Sequence, residues 1–142
     1  MKSLYAFVFA SLLPFAAWAQ GFGPLPADQV VLADQEYLKR PLVVFADSPD
    51  DPAYIRQMDL LARAYPELEE RDVILITDTD PAAKSEWRQK LRPRGFSLVI
   101  MDKDLKSVIR KPLPWDVREI SHAIDKLPLR LQEMLVENPA GR

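Results

Sequence analysis

Five aspartates follow two apolar runs of the chain and could together hold a divalent cation. They are Asp47, Asp50, Asp51, Asp78 and Asp80. Because neighbouring parallel strands end at the same edge of a sheet, we expect these carboxylates to meet there. Carboxylate oxygens are the ligands that calcium and magnesium prefer. The alternative is structural: Asp51 and Asp80 each precede a proline, which is typical of a helix start, and the spacing matches no calcium-loop pattern.

Asp78 and Asp80 also allow a hydrolytic interpretation. The sequence Asp78-Thr79-Asp80 follows the apolar residues 73–76 and is similar to the Asp-x-Asp signature of haloacid-dehalogenase-type phosphatases. In that chemistry the first carboxylate attacks phosphorus and the second acts as acid and base. Pro81-Ala82 follows here, with no hydroxyl residue at the expected place, and the motif lies on the second strand rather than the first. A phosphohydrolase at Asp78 and Asp80 is therefore the remote alternative.

The chain lacks the residues of several common catalytic sites. It contains no cysteine, so it offers neither a thiolate nucleophile nor a disulfide. His122 is the only histidine, and one histidine without cysteine leaves no ordinary zinc site. We predict no catalytic residue and no cofactor.

Three residues are candidates for contact with a partner. Trp115 lies in a proline-rich loop, where it could anchor a partner or pack on the helix that follows. Arg130 and Glu133 stand three positions apart on a predicted helix, a spacing that allows an ion pair which fixes the C-terminal segment. A recognition surface for a carboxylate or phosphate is the other interpretation, because arginine presents a planar fork.

The N-terminus predicts export. Residues 1–19 combine Lys2, an apolar run at residues 4–13 and the pattern Ala17-Trp18-Ala19, which together are typical of a secretory signal peptide. Cleavage would leave Gln20 first and no membrane anchor. Without Lys2, 18 basic residues oppose 21 acidic ones, a net charge of −3 that argues against a nucleic-acid partner. We expect a periplasmic or secreted protein with a protein partner in the cell envelope; its oligomeric state stays open.

The apolar runs and helix-start signals along the rest of the chain predict a mixed α/β fold. Apolar runs at residues 41–46, 72–77 and 96–101 are typical of buried strands, and residues 106–110 follow the third as a hairpin. Helices are predicted from Asp51, from Asp80, from Asp116 and after Pro128. The order β-α-β-α-β-β-α gives a four-stranded mixed sheet flanked by helices, the thioredoxin-like α/β sandwich. The predicted divisions are a signal peptide (1–19), a linker or short N-terminal element (20–33), a thioredoxin-like domain (34–136) and a flexible tail (137–142).

Two stretches resemble a known family. Residues 40–76 and residues 125–134, which include Asp125, Pro128, Arg130 and Glu133, resemble a thioredoxin/peroxiredoxin-like domain family of undetermined function. That family occurs in exported bacterial proteins and in secreted animal matrix proteins with sushi repeats. The resemblance implies a thioredoxin-like fold outside the cytoplasm and no established activity.

The redox apparatus of thioredoxin-like enzymes is missing. The turn that would carry the thiol consists of residues 47–52 without cysteine, and Gly95-Phe96-Ser97 replaces the loop that would hold a cis-proline. We therefore expect a non-catalytic, exported domain that binds or supports another protein. The alternative is binding of a divalent cation or a small ligand at the acidic loops.

Overall fold

A computed structural model describes residues 21–106 and 108–140. The predicted signal peptide, residues 1–19, lies outside the described residues. The strands are β1 (Leu25–Pro26), β2 (Arg40–Phe45), β3 (Val73–Asp78), β4 (Ser97–Met101) and β5 (Val108–Lys111). The α-helices are α1 (Pro52–Ala62), α2 (Tyr65–Glu70), α3 (Glu86–Leu91), α4 (Val117–Ile124) and α5 (Pro128–Glu137).

The strands form one mixed sheet in the order β1-β3-β2-β4-β5. Strands β1, β3 and β2 run parallel, whereas β4 is antiparallel to β2 and to β5. The predicted count of four strands is corrected to five. The additional strand is the two-residue β1, which lies within residues 20–33, the stretch predicted as a linker or short N-terminal element. A two-residue strand has no alternation of apolar and polar residues by which sequence could reveal it.

Strand β2 divides the core between the two faces of the sheet. It is buried at all six positions, and successive side chains point to opposite faces. Leu42 and Val44 pack among residues of α1, α2 and α4. Val43 and Phe45 pack on the other face with Trp87, whose Nε1 donates to the carbonyl oxygen of Val30 at 2.8 Å. Helices therefore cover both faces, which confirms the predicted α/β sandwich.

Two of the predicted helices are each interrupted in the structure. The helix that begins at Asp51 ends at Ala62, and α2 starts anew at Tyr65 with Pro66 in its first turn. The helix predicted from Asp80 is a 3₁₀ turn at Pro81–Ala83, and α3 starts only after Ser85. Between them Lys84 has a φ of 47°, a left-handed conformation that no α-helix continues through.

The loops that carry the predicted site residues 47–51 and 78–80 lie at one end of the strands. Phe45 pairs with Asp78 on one side and with Ser97 on the other, so β2 and β3 end where β4 begins. We call this end of the strands the loop end. No helix among the described residues is both long and apolar enough to cross a bilayer.

Candidate functional site

The turn at the loop end uses its polar groups to shape the backbone. Asp51 caps α1, since its Oδ1 accepts a hydrogen bond from the Ala53 amide at 2.8 Å. The Asp50 amide donates to Ser48 Oγ at 3.1 Å, which tightens the turn, and Asp47 is exposed. The position at which a thioredoxin-like enzyme would hold its thiol is therefore a capped turn without a thiol.

Asp78 is held by a cation of its own chain. Its side chain is 4% exposed, and Arg88 Nε donates to Oδ1 at 3.0 Å. Ser85 Oγ donates to the other carboxylate oxygen. Arg88 Nη2 also donates to the carbonyl oxygens of Ala46, at 2.7 Å, and of Asp78, at 3.2 Å. Asp78 and Arg88 together fasten the ends of β2 and β3 to α3.

The five aspartates do not assemble into a metal site. Within residues 21–106 and 108–140, no three acidic or other ligating side chains are grouped as a cation would require. The carboxylates are engaged elsewhere, because Asp51 and Asp80 accept hydrogen bonds from backbone amides and Asp78 is neutralised by Arg88. Asp47 and Asp50 stay at the exposed turn. The prediction that these five carboxylates meet in one cation site is therefore wrong.

The same contacts oppose a phosphohydrolase at Asp78 and Asp80. An attacking carboxylate needs an oxygen free to approach phosphorus. Both oxygens of Asp78 accept hydrogen bonds within the fold, and Asp80 Oδ1 caps the 3₁₀ turn at 3.1 Å from the Ala82 amide. The two carboxylates therefore stabilise the local structure and leave no oxygen of Asp78 free to attack phosphorus.

An open, strongly basic cleft lies beside the loop end. It has a volume of about 660 Å³ and is walled by the end of α3 with its following loop and by the end of β5. Five basic residues line it: Lys90, Arg92, Arg94, Arg110 and Lys111. No acidic residue lines it, and none of the five takes part in an ion pair with a described residue.

Backbone conformation shapes one wall of this basic cleft. Arg92 ends α3 with a φ of 49°, and its amide donates to the Arg88 carbonyl oxygen at 2.8 Å. Gly95 follows with a φ of 56°, a conformation that glycine adopts without steric cost. Arg92 and Gly95 are thus the two left-handed residues of the loop before β4, and the described residues contain no cis peptide bond. The cations at residues 88–94 stand close together in the sequence, but none of the predicted sites included them.

Trp115 lies close to the basic cleft and is integrated into the fold. Its amide donates to Gln57 Oε1 at 2.9 Å, and Gln57 Nε2 donates back to the Trp115 carbonyl oxygen at 2.7 Å. The ring is partly buried against the core, and Lys111 Nζ lies 4.2 Å from its centroid. These contacts favour the packing interpretation and place the ring under a cleft cation.

Arg130 and Glu133 belong to an ionic cluster beneath α5. The buried Arg40 side chain donates through Nε to Asp102 at 3.1 Å and through both terminal nitrogens to Glu133, at 3.1 and 2.9 Å. Lys103 Nζ lies 2.7 Å from Glu133. Arg130 lies 3.5 Å from Glu133, the predicted i,i+3 pair. Burial opposes ionisation of Glu133, but the hydrogen bonds from Arg40 and Lys103 outweigh it and lower its pKa to about 2.

A second pair extends this ionic cluster to α4. Arg71 donates to both oxygens of Asp125 at 2.9 Å, and Arg130 Nε lies 3.3 Å from the same carboxylate. Burial alone would raise the pKa of Asp125, yet the two guanidinium groups lower it. The hydrogen bond to Asp125 raises the pKa of Arg71. Arg130 and Glu133 therefore dock the C-terminal helix, while His122 is exposed and stands apart from both sites.

The comparisons with known proteins bear on the family and the fold. The profile of a family described as Domain of unknown function (DUF4174) matches residues 31–133. The chain belongs to this family. No curated protein matches the chain significantly.

Solved structures with thioredoxin-like architecture are similar to this DUF4174 chain. Chloroplastic thioredoxin z has a TM-score of 0.56 at 17% identity, covering 74% of this chain and 92% of that chain. Reduced 2-Cys peroxiredoxin of Plasmodium vivax has a TM-score of 0.57 at 15% identity, covering 74% and 85%. Thioredoxin peroxidase I of Plasmodium yoelii has a TM-score of 0.51 at 17% identity, covering 80% and 82%. Such identities show the fold alone, and they confirm the thioredoxin-like prediction.

Proposed function

We propose that this chain is an exported, non-redox thioredoxin-like domain that acts by binding a protein partner in the periplasm or the secreted space. The signal-like residues 1–19 support export, and the absence of cysteine removes thiol chemistry from the fold. A net charge of −2 over the whole chain speaks against a nucleic-acid partner.

One observation carries the proposal of binding. At the loop end the turn that would carry the thiol of a thioredoxin-like enzyme only caps α1. The adjoining basic cleft has about 660 Å³ of open space, and its five cations have no acidic partner among the described residues. Other cations, such as Arg40, Arg71 and Arg88, form ion pairs with carboxylates of the same chain. Charged side chains left without partners in a concave surface are available to a ligand.

Site-specific photo-cross-linking in living cells tests this proposal. A photoreactive phenylalanine replaces Arg94 in the full chain, and a control chain carries it at the exposed Lys126. The Leu129 amide, three residues after this control position, donates to Asp102, which follows the far end of β4. We expect a discrete protein adduct from position 94 in the envelope fraction and none from position 126. Recovery of the chain in the cytoplasm with residues 1–19 intact, or equal labelling from both positions, would contradict the proposal.

A further inference from the structure

We infer that the basic cleft binds an extended, carboxylate-rich segment of the partner. This inference rests on the proposed function and names the chemistry of the segment that would be recognised. The cleft comprises Lys90, Arg92 and Arg94 on one wall and Arg110 and Lys111 on the other.

The charge distribution is the first support. The chain as a whole carries more acidic than basic residues, 21 against 19, yet no acidic residue lines this cleft. Uncompensated like charges repel one another, so their concentration costs free energy unless a ligand of opposite sign arrives. A carboxylate-rich segment supplies that sign and is steered toward the cleft by the local potential.

The shape of the cleft favours an extended ligand over a compact anion. The cations stand on two walls, one from α3 and its loop and one from β5, and Arg92, Arg94 and Arg110 are exposed. A single phosphate would need donors that converge on one point. Alternate side chains of an extended peptide recur about every 6.6 Å, so several carboxylates of one peptide can lie along a cleft that has basic residues on both walls.

The neighbouring sheet edge supplies backbone partners. Strand β5 is the last strand of the sheet, and it pairs only with β4 among the described strands. Its other edge presents amide and carbonyl groups to which an added strand can hydrogen-bond. Arg110 and Lys111 lie on this strand, so a peptide that extends the sheet would pass these two basic residues of the cleft. Main-chain pairing would supply affinity, and the cations would select acidic side chains.

Binding of a labelled oligoglutamate of about ten residues, which spans about 33 Å, tests the inference by fluorescence anisotropy with the purified chain. The cleft variant combines Arg94→Glu with Arg110→Glu, two exposed positions with negative φ. The matched control combines Lys39→Glu with Lys126→Glu, which makes the same change in net charge at exposed sites outside the cleft. Circular dichroism and Tm verify that each variant is folded.

We expect the natural chain to bind oligoglutamate and the cleft variant to bind it about tenfold more weakly or worse. The control variant should stay within about twofold of the natural chain. Raising the ionic strength from about 0.01 M to about 0.1 M should weaken binding, because the Debye length falls from about 30 Å to about 10 Å.

Four results would overturn the inference. They are no binding of oligoglutamate, equal loss in the cleft and control variants, tighter binding of an oligodeoxythymidine of matched charge, and displacement of the peptide by inorganic phosphate at an equivalent concentration of charge. A protein adduct from position 94 combined with any of these results would leave the proposed function standing and reject only the acidic segment. Absence of any adduct would reject the proposed function itself.

Discussion

Arg40 and Glu133 form a two-pronged ion pair across 93 positions of sequence, with nitrogen–oxygen distances of 3.1 and 2.9 Å. Arg40 opens the central strand β2, and Glu133 lies on the last helix, α5. The pair therefore ties the C-terminal helix to the start of the sheet. Because Arg40 also donates to Asp102, which directly follows β4, one guanidinium group joins three elements. This cluster stabilises the fold at the end of the strands opposite the loop end.

Replacement of Arg40 should destabilise the chain strongly. Arg40→Met removes the cation that faces the buried Asp102 carboxylate, and it leaves Glu133 with only Lys103 and Arg130 as partners. We expect the free energy of unfolding to fall by about 3–5 kcal/mol, as measured by urea denaturation. Arg63→Met is the matched control, because its partner Asp59 is one turn away and both side chains are largely exposed. A loss of about 1 kcal/mol or less is expected there, and equal losses in both variants would contradict a structural role for the buried cluster.

The ionic cluster should make stability depend on acid pH. The pKa of Glu133 falls from an ordinary 4.5 to about 2 in the folded chain. A carboxyl with a lowered folded pKa stabilises the protein above its unfolded pKa, and this contribution is lost as pH falls toward the folded pKa. Its contribution is about 1–3 kcal/mol, since one pKa unit is worth about 1.4 kcal/mol and solvent reaches part of the side chain.

Glu133→Gln isolates this effect. The difference in unfolding free energy between the natural chain and the variant should be largest near pH 7 and shrink between about pH 5 and pH 2. Asp125, whose pKa is also lowered, remains in the variant and retains its own acid sensitivity. Urea denaturation at several pH values measures the difference. A difference that is constant over this range would show that Glu133 is not held ionised by Arg40 and Lys103.

Asp78 should prove structural rather than catalytic. Asp78→Asn weakens the contact with Arg88 and should lower the free energy of unfolding by about 2–4 kcal/mol. Asp47→Asn, in the exposed turn, should change it by about 0.5 kcal/mol or less. Neither the natural chain nor the variants should hydrolyse phosphate esters. A turnover that Asp78→Asn abolishes while the variant stays folded would restore the hydrolytic alternative.

Divalent cations should leave thermal stability unchanged. A cation that binds only the folded chain raises Tm, and the rise grows with the logarithm of the cation concentration relative to Kd. The described residues offer no group of three ligating side chains, so calcium and magnesium should produce no shift in a thermal melt. A rise in Tm that a chelator reverses and that Asp80→Asn abolishes would support the acidic-loop alternative instead.

The sequence predicted the strands and caps well because their signals are local. The apolar runs that became β2 and β3 are continuous, and Asp51 and Asp116 cap helices as expected, the latter by accepting from the Glu119 amide at 2.9 Å. Local signals also misled: Asp80 caps a helical turn, as expected, but the turn ends after three residues.

The ionic cluster and the basic cleft could not be predicted from local sequence patterns, because each brings together residues that are far apart in the sequence. Arg40 appears in the sequence as a cation before a strand, and only the fold brings it to Asp102, 62 positions away. The cleft likewise has one wall at residues 90–94 and the other at Arg110 and Lys111. The convergence predicted for the aspartates failed for a related reason, because strand order fixes where loops meet but not which side chains pair within them.

This thioredoxin-like fold works, we propose, by contact and without thiol chemistry. A decisive assay is the rate of insulin disulfide reduction by dithiothreitol with increasing amounts of the purified chain, because a redox-active thioredoxin accelerates that reaction. We predict the rate of dithiothreitol alone at every protein concentration, since the chain contains no cysteine. A rate that rises in proportion to the chain would contradict the proposed non-redox role.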